Sequence, residues 1–450
     1  MNPDRDLKMG QALASIPVPQ LSEGYYSRLV ETLEHEGPAA AAPRPQRRRV
    51  LRFGLAAAAV AAVVTVAVVL FGLPGVRDSG PQVSLAAQVL AKMNGSLGVI
   101  RTFTADDVSV DYQNGDAPVT TRSRVYLAAN GDGRVEDEHG KWATIHNAAL
   151  GTQWTLERVD GRLVATQVST GLPAGNVFSN PGDSSNYFMG AGYGTALRAL
   201  LAARQGGMDV RTSTLNGRPS WTVTFADHAG GSLEIRLVVD QETGLVFGSS
   251  WRENGHPMWE RHMENVHVNQ PLDPSLFRPG AAQFSQGGSR QARQDAGFKR
   301  VALAGVEGIV GYAPVVPAQV PDGFTLTDVT ASAGGQDRPS HSPLVSMVYR
   351  RGLDSFTVAI LSEEDVSGPN GLNNFAGGAF TAGDLSQSVT LTDGAMSGSR
   401  ADVFIGLWAA VAQIYVHSGD VPLDVVIRGG LTRDELLAVA ESLQTYGQGD

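Results

Sequence analysis

Hydrophobic and polar positions divide the chain into stretches of different period. Residues 53–73 (FGLAAAAVAAVVTVAVVLFGL) carry no charge and only one hydroxyl, Thr65. At about 1.5 Å rise per residue, roughly 20 such residues span a ~30 Å hydrocarbon core. A helix also satisfies its own backbone there. The run predicts a transmembrane helix, and the fifty-odd residues before it, with no A-x-A site after it, set it apart from a cleaved signal peptide. Residues 83–97 change to helical spacing, with Leu85, Val89, Leu90, Met93 and Leu97 on one face. Alternating runs follow, among them FTADDVSVDY, RSRVYLAANGDGRVEDE and TQWTLERVDGRLVATQV. The NGDG at 130–133 and VDGR at 159–162 read as hairpin turns, since Asn, Asp and Gly adopt positive φ at little cost. Residues 194–207 return to helical spacing and end on Gly; RPSWTVTFAD, GSLEIRLVVDQETGLVFGSSWRENG and MWERHMENVHV resume the strands.

One helix, many antiparallel strands, a second helix and more strands predict a curled sheet with helices on one side, an α+β architecture. The proline-rich QPLDPSLFRPG closes that unit at residue 280, and 281–298 reads as a polar, Gly-rich linker. From residue 299 to 450 a smaller α/β domain is expected, with a long Gly/Asn-rich loop near 363–387. Its last helix is the best specified. Thr432 and Glu435 form a capping box, and Leu431 and Leu436 stand where a hydrophobic staple needs them.

Charge then orients the chain. Arg44, Arg47, Arg48, Arg49 and Arg52 crowd the N-terminal side of the apolar run, and the far side offers Arg77 followed by Asp78. Basic flanks stay in the cytoplasm. Residues 1–52 are therefore expected in the cytoplasm of a single-pass protein of the inner or plasma membrane. A short linker, 74–82, then leads to an extracytoplasmic body beginning at residue 83. The first 52 residues hold 8 Lys/Arg against 6 Asp/Glu, leaving 27 against 39 for the rest. Such an acidic body argues against nucleic acid as a partner. Cysteine is absent, which excludes disulfides, Cys nucleophiles and thiolate zinc sites. Within the tail, Leu21, Tyr25, Leu29 and Leu33 recur every four residues behind Ser22 and form a candidate partner helix; alone in water so short a helix is marginal.

Few residues stand in patterns that chemistry requires. His256, His262 and His267 lie within twelve residues. Strand parity would put His262 and His267 on opposite faces, and six residues separate His256 from His262 by about 20 Å. NGDGRVEDE lacks the ligand and Gly that a calcium loop needs at its fifth and sixth positions. Ser184 has no G-x-S-x-G frame, no phosphate loop or dinucleotide fingerprint occurs, and Asp106/Asp107 read as a surface pair. No metal, cofactor or catalytic residue is expected, and a hydrolase is the weakest reading. What remains is an apolar inner face for the curled sheet, with Trp154, Leu156, Trp221, Val223, Phe225, Leu237, Val239, Phe247 and Trp251 as candidates to line a ligand cavity. The bland account is that these residues pack against the two helices and nothing more.

The order of AAQVLAKMNGSL, TFTADDVSVDY, YLAANGDGRVE, VVDQETGLVFGSSW and MENVHVNQPLDPSLF resembles the lipoprotein-carrier (LolA-like) superfamily. GYAPVVPAQVPDGFTLTDVT, SMVYRRGLDSFTVAI and the capped last helix resemble the smaller domain of RseB (MucB)-type sigma-factor regulatory proteins. The resemblance covers about residues 83–446 and rests on order, not on any single diagnostic motif. It implies a half-barrel with helices on its concave face, a small α/β domain, and binding in place of catalysis. It also implies a lipid, lipoprotein or apolar-peptide ligand and an anti-sigma or sigma-factor partner in envelope stress signalling. The chain departs from the RseB pattern in having its own apolar span. ALASIPVPQLSEGYYSRLVETLE before the basic flank resembles the juxtamembrane stretch of transmembrane anti-sigma factors, without their zinc-binding cysteines. A tethered lipid or lipoprotein carrier with no signalling role is the alternative.

Overall fold

The computed structural model describes residues 84–113, 117–174, 189–203, 208–226, 233–280, 292–334, 343–362, 385–406, 411–417 and 423–447. The apolar span 53–73, the tail helix of Leu21, Tyr25, Leu29 and Leu33, Ser184 and most of the 363–387 loop lie outside the described residues. Among the described residues no helix is long and apolar enough to cross a membrane.

The first helix, α1 (Leu85–Leu97), starts where Ser84 accepts a hydrogen bond from the Ala87 amide. Six strands follow: β1 (Thr102–Asp111), β2 (Val119–Ala128), β3 (Gly133–Asp137), β4 (Trp142–Asn147), β5 (Thr152–Val159) and β6 (Arg162–Thr170). Helix α2 (Met189–Ala203) begins five residues before the 194–207 span expected for it. Then come β7 (Met208–Leu215), β8 (Arg218–Ala226), β9 (Leu233–Asp240), β10 (Val246–Glu253) and β11 (His256–Val268). Within the stretch read as a linker, β12 (Ala292–Asp295) pairs in parallel with β6. These strands make one sheet in the order β12-β6-β5-β4-β3-β2-β1-β11-β10-β9-β8-β7, antiparallel elsewhere. The chain closes it in the middle, where β1 pairs with β11. The hairpins form as the turn residues require. Asp160 and Gly161 have φ of 50° and 81°, and Asn254 and Gly255 have 50° and 79°, the both-positive signature of a type I′ turn.

The second sheet contains β13 (Lys299–Arg300), β15 (Thr325–Ser332), β16 (Leu344–Arg351), β17 (Asp354–Ser362), β18 (Leu385–Thr390), β19 (Arg400–Gly406), β20 (Val411–His417) and β21 (Leu423–Gly429). Their order is β13-β15-β16-β17-β21-β20-β19-β18. A short helix, α3 (Glu307–Val310), precedes β14 (Val315–Pro317), which pairs with β22 (Leu443–Thr445). The last helix, α4 (Arg433–Glu441), carries the expected capping box. Thr432 caps the Glu435 amide, the Glu435 carboxylate accepts from the Thr432 amide at 2.7 Å, and Leu431 and Leu436 are buried.

One hydrophobic cluster joins the sheets. It runs from Val223 and Leu237 of the large sheet through Leu197 and Leu200 of α2 to Ile414 and Ile427 of the small sheet and Leu436 of α4. Helix α2 is the shared element, touching β10 on one side and β19, β20 and α4 on the other. Polar contacts reinforce the join. Arg300 meets Asp328 at 2.7 Å and donates to the Ala148 carbonyl at 2.5 Å. The Leu353 amide donates to the Ile100 carbonyl, and Ala174 exchanges hydrogen bonds with Thr330 and Ser346.

Candidate functional site

Register fixes which side chains share the helix-covered face of the large sheet. Val223 stands opposite Leu237 and Val210, Trp221 opposite Val239, and Phe225 opposite Ile235. Ile235 faces Trp251, which faces Trp259 on β11. Residues directly opposite in a ladder point the same way. Trp221, Val223, Phe225, Leu237, Val239 and Trp251 therefore converge. They lie in one buried cluster with Val89 and Met93 of α1 and Leu197, Leu200 and Leu201 of α2. The apolar face is plugged by the protein's own helices, with Val223, Leu237 and Val239 all 0% exposed.

Two of the expected lining residues point away from this face, and a third packs in a separate cluster. Following the ladders from Ala105 through Val125 and Val135 reaches Thr144 and Thr155 on the helix side. Trp154 and Leu156 are one step out of phase and point to the other face, packing with Ala143, Ile145, Ala165 and Val168. Phe247 occupies the register shift between Val246 and Gly248 and joins Phe103, Ala105 and Met263 in a third cluster. All nine are apolar residues on strands. A sequence period of two separates the faces within one strand but does not phase one strand against another across six ladders.

The helix side also carries polar chemistry not expected from the sequence. Asp107 is not a surface residue: it is 4% exposed and lies on the helix side of β1. Its carboxylate accepts from Arg261 Nε at 2.6 Å and Nη2 at 2.7 Å, a bidentate pair buried beside Ser123 and Ser249. Strand alternation places its neighbour Asp106 outside, with Arg124 and Asn265. The one available signal was the alternation of Phe103 and Ala105, which Asp107 continues. The helix-covered face thus carries a buried ion pair at β1 and β11 among apolar neighbours such as Ala105 and Met263.

The histidines of β11 do not follow simple strand parity. An extra residue in β11 shifts register between Glu264 and His267, with Asn265 at φ 49°. His262 opposes Val108 and His267 opposes Thr104, so the two histidines share a face after all. They take different partners, His262 against Glu264 at 3.0 Å and His267 against Gln270. Among the described residues no group of three or more His, Asp or Glu side chains is placed to hold a metal ion.

His146, on β4, lies where the sheets meet. Burial, with Arg350 adding to it, pushes its pKa down to about 4 against the opposing pull of Asp132. A folded-state pKa below the unfolded value near 6.5 means the unfolded chain binds the extra proton, so stability rises with pH across that window. The contribution is complete above pH ~6.5 and is lost as pH falls towards 4. Urea midpoints should therefore drop between pH 6.5 and 4.5 in the wild type, and the drop should shrink in His146→Gln. Equal slopes in the two proteins would remove His146 as the cause.

No family model and no curated protein matches the chain. Solved structures similar to it include the Pseudomonas aeruginosa MucA/MucB complex, at 16% identity and TM-score 0.26, covering 80% of this chain and 99% of that one. MucB is also solved in complex with MucA(peri). A LolA superfamily protein, NE2245 from Nitrosomonas europaea, is similar at 10% identity and TM-score 0.20, over 44% of this chain and 99% of that one. An uncharacterized conserved protein from Thermus thermophilus is similar at 11% identity and TM-score 0.28, over 47% of this chain and all of that one.

Proposed function

We propose that this protein is a membrane-anchored regulator of the cell envelope. Its β-rich body binds a lipid, lipoprotein or apolar peptide on the helix-covered face of the large sheet, and it modulates sigma-factor signalling through a protein partner. Residues 53–73 would be the anchor, residues 1–52 the cytoplasmic tail, and residues 74–450 the part outside. Boundaries within that outer part would fall at 83–280, 281–298 and 299–450.

One observation carries the ligand reading. Over β8–β10 the apolar face packs in one cluster with residues of α1 and α2, and α2 also bears on the small sheet. A ligand entering there exchanges contacts with α2, burying its own apolar surface where Leu197, Leu200 and Leu201 now sit. Such a ligand biases the protein only through the difference in its affinity for the two positions of α2. The function is binding without chemistry, and no cofactor enters it.

The test is to isolate the full chain from membranes under mild detergent and identify co-purifying proteins and extractable lipids by mass spectrometry. A sigma or anti-sigma partner together with bound lipid is the expected result. Stoichiometric lipid with no protein partner, and function retained after deletion of residues 1–43, would point to the tethered carrier. A chain with neither lipid nor partner would refute both.

A further inference from the structure

Helix α2 is held from both sides, and a buried ion pair adds to its apolar hold on the small sheet. Arg198, with a side chain 1% exposed, donates from Nη1 to Asp354 Oδ2 at 2.8 Å. The same oxygen accepts from Arg351 Nη2 at 3.0 Å. Two guanidiniums on one carboxylate leave an excess of positive charge in a buried place. Among the described residues Arg198 Nε, Arg198 Nη2 and Arg351 Nε have no hydrogen-bond partner. The other carboxylate oxygen occupies the space of a missing side chain. A Cβ on Gly430 would lie 1.6 Å from Asp354 Oδ1 and 3.0 Å from Arg198 Nη2. The turn into α4 thus omits a side chain where the ion pair needs room.

A buried pair with its donors half satisfied recovers less of its desolvation cost than a fully bonded one. It holds α2 in place but gives way at a lower cost than a saturated network would. Arg351 works against Arg198, because each draws on the same oxygen.

We propose that Arg198, Asp354 and Arg351 form a release latch that sets how readily α2 leaves the apolar face of the large sheet. Ligand occupancy there is thereby coupled to the strand ends around Asp354 and Gly430 in the small sheet. The proposal rests on the reading that ligand exchanges with α2. Coupling of this kind is reciprocal: whatever holds α2 closed lowers apparent ligand affinity by the fraction of protein that is open. The two arginines therefore act in opposite directions, a pattern that mere structural damage does not produce.

The experiment uses the full chain in amphipol, titrated with a diazirine-bearing palmitic acid. The half-saturating concentration is read from adducts by mass spectrometry, and hydrogen exchange of the 196–203 amides is followed in parallel. Arg198→Met should lower half-saturation about tenfold and speed α2 exchange, and Arg351→Met should raise half-saturation and slow exchange. Shifts of both variants in one direction, or no shift in either, would overturn the latch. If Arg198→Met does not fold, Gly430→Ala displaces the carboxylate with every charge retained and should shift both readouts as Arg198→Met would; no shift overturns the latch. If no protein is labelled, wild type included, the ligand reading fails and the exchange rates alone decide the latch: opposite shifts support it, parallel or absent ones overturn it.

Discussion

Asp107→Ala should destabilise the body by about 3–5 kcal/mol in equilibrium urea unfolding, the cost typical of leaving one member of a buried ion pair alone. The mutation takes the bidentate carboxylate from the Arg261 guanidinium, which is 7% exposed and meets Asp107 through both Nε and Nη2. The pair itself adds much less than that figure, because each ion gave up its hydration to be there. Asp107→Leu combined with Arg261→Met should accordingly recover most of the loss, since an apolar pair of similar volume needs no compensation. A loss below ~1 kcal/mol in the single variant would mean that the pair behaves as a surface bridge. The same substitution at Asp106, whose partners Arg124 and Asn265 lie on the open side, is the internal control and should cost well under half as much.

Leu200→Ala should cost about 2–5 kcal/mol, the range for a large-to-small change in a closed core. Leu200 is 0% exposed and belongs to the cluster that reaches both sheets. The location of the loss matters more than its size. Because α2 carries contacts to β10 on one side and to β19 and β20 on the other, a cavity there weakens both sheets together. In a Trp408→Phe background near-ultraviolet circular dichroism follows the tryptophans of the large sheet, Trp221 and Trp251 among them, and hydrogen exchange of β16 and β17 reports on the small one. Both probes should shift to the same lower midpoint in Leu200→Ala and stay coincident, as in a single cooperative transition. A shift confined to the tryptophan signal would show that the continuous cluster does not couple the sheets energetically.

Much of this architecture is legible in the residues, and the reasons are local. Ser84, Thr432 with Glu435, and the Asp160-Gly161 and Asn254-Gly255 turns act through neighbours three residues away or fewer, so the chain alone specifies them. Alternation likewise identifies Trp221, Val223 and Phe225 as one face of one strand. Placing Trp154 with them requires the phase of every intervening ladder, which is set by long-range pairing. Phe247 and His267 show the other limit. One extra residue in β10 or β11 reverses all parity beyond it, and neither Gly248 nor Asn265 announces a register shift in a strand that already alternates. The buried partners are the least legible of all. Arg198 meets Asp354, 156 positions away in the chain, and only the assembled fold brings the two within 2.8 Å.

The central claim is that apolar ligand is taken up against β8–β10 in exchange for α2. Mapping photo-crosslinks from diazirine-bearing palmitic acid on the intact chain tests it most directly. The account predicts adducts concentrated on Trp221, Val223, Phe225, Leu237 and Trp251 and on the facing residues of α2, with competition by unlabelled fatty acid. Adducts confined to residues 53–73, or spread over the outer face around Trp154 and Leu156, would contradict it.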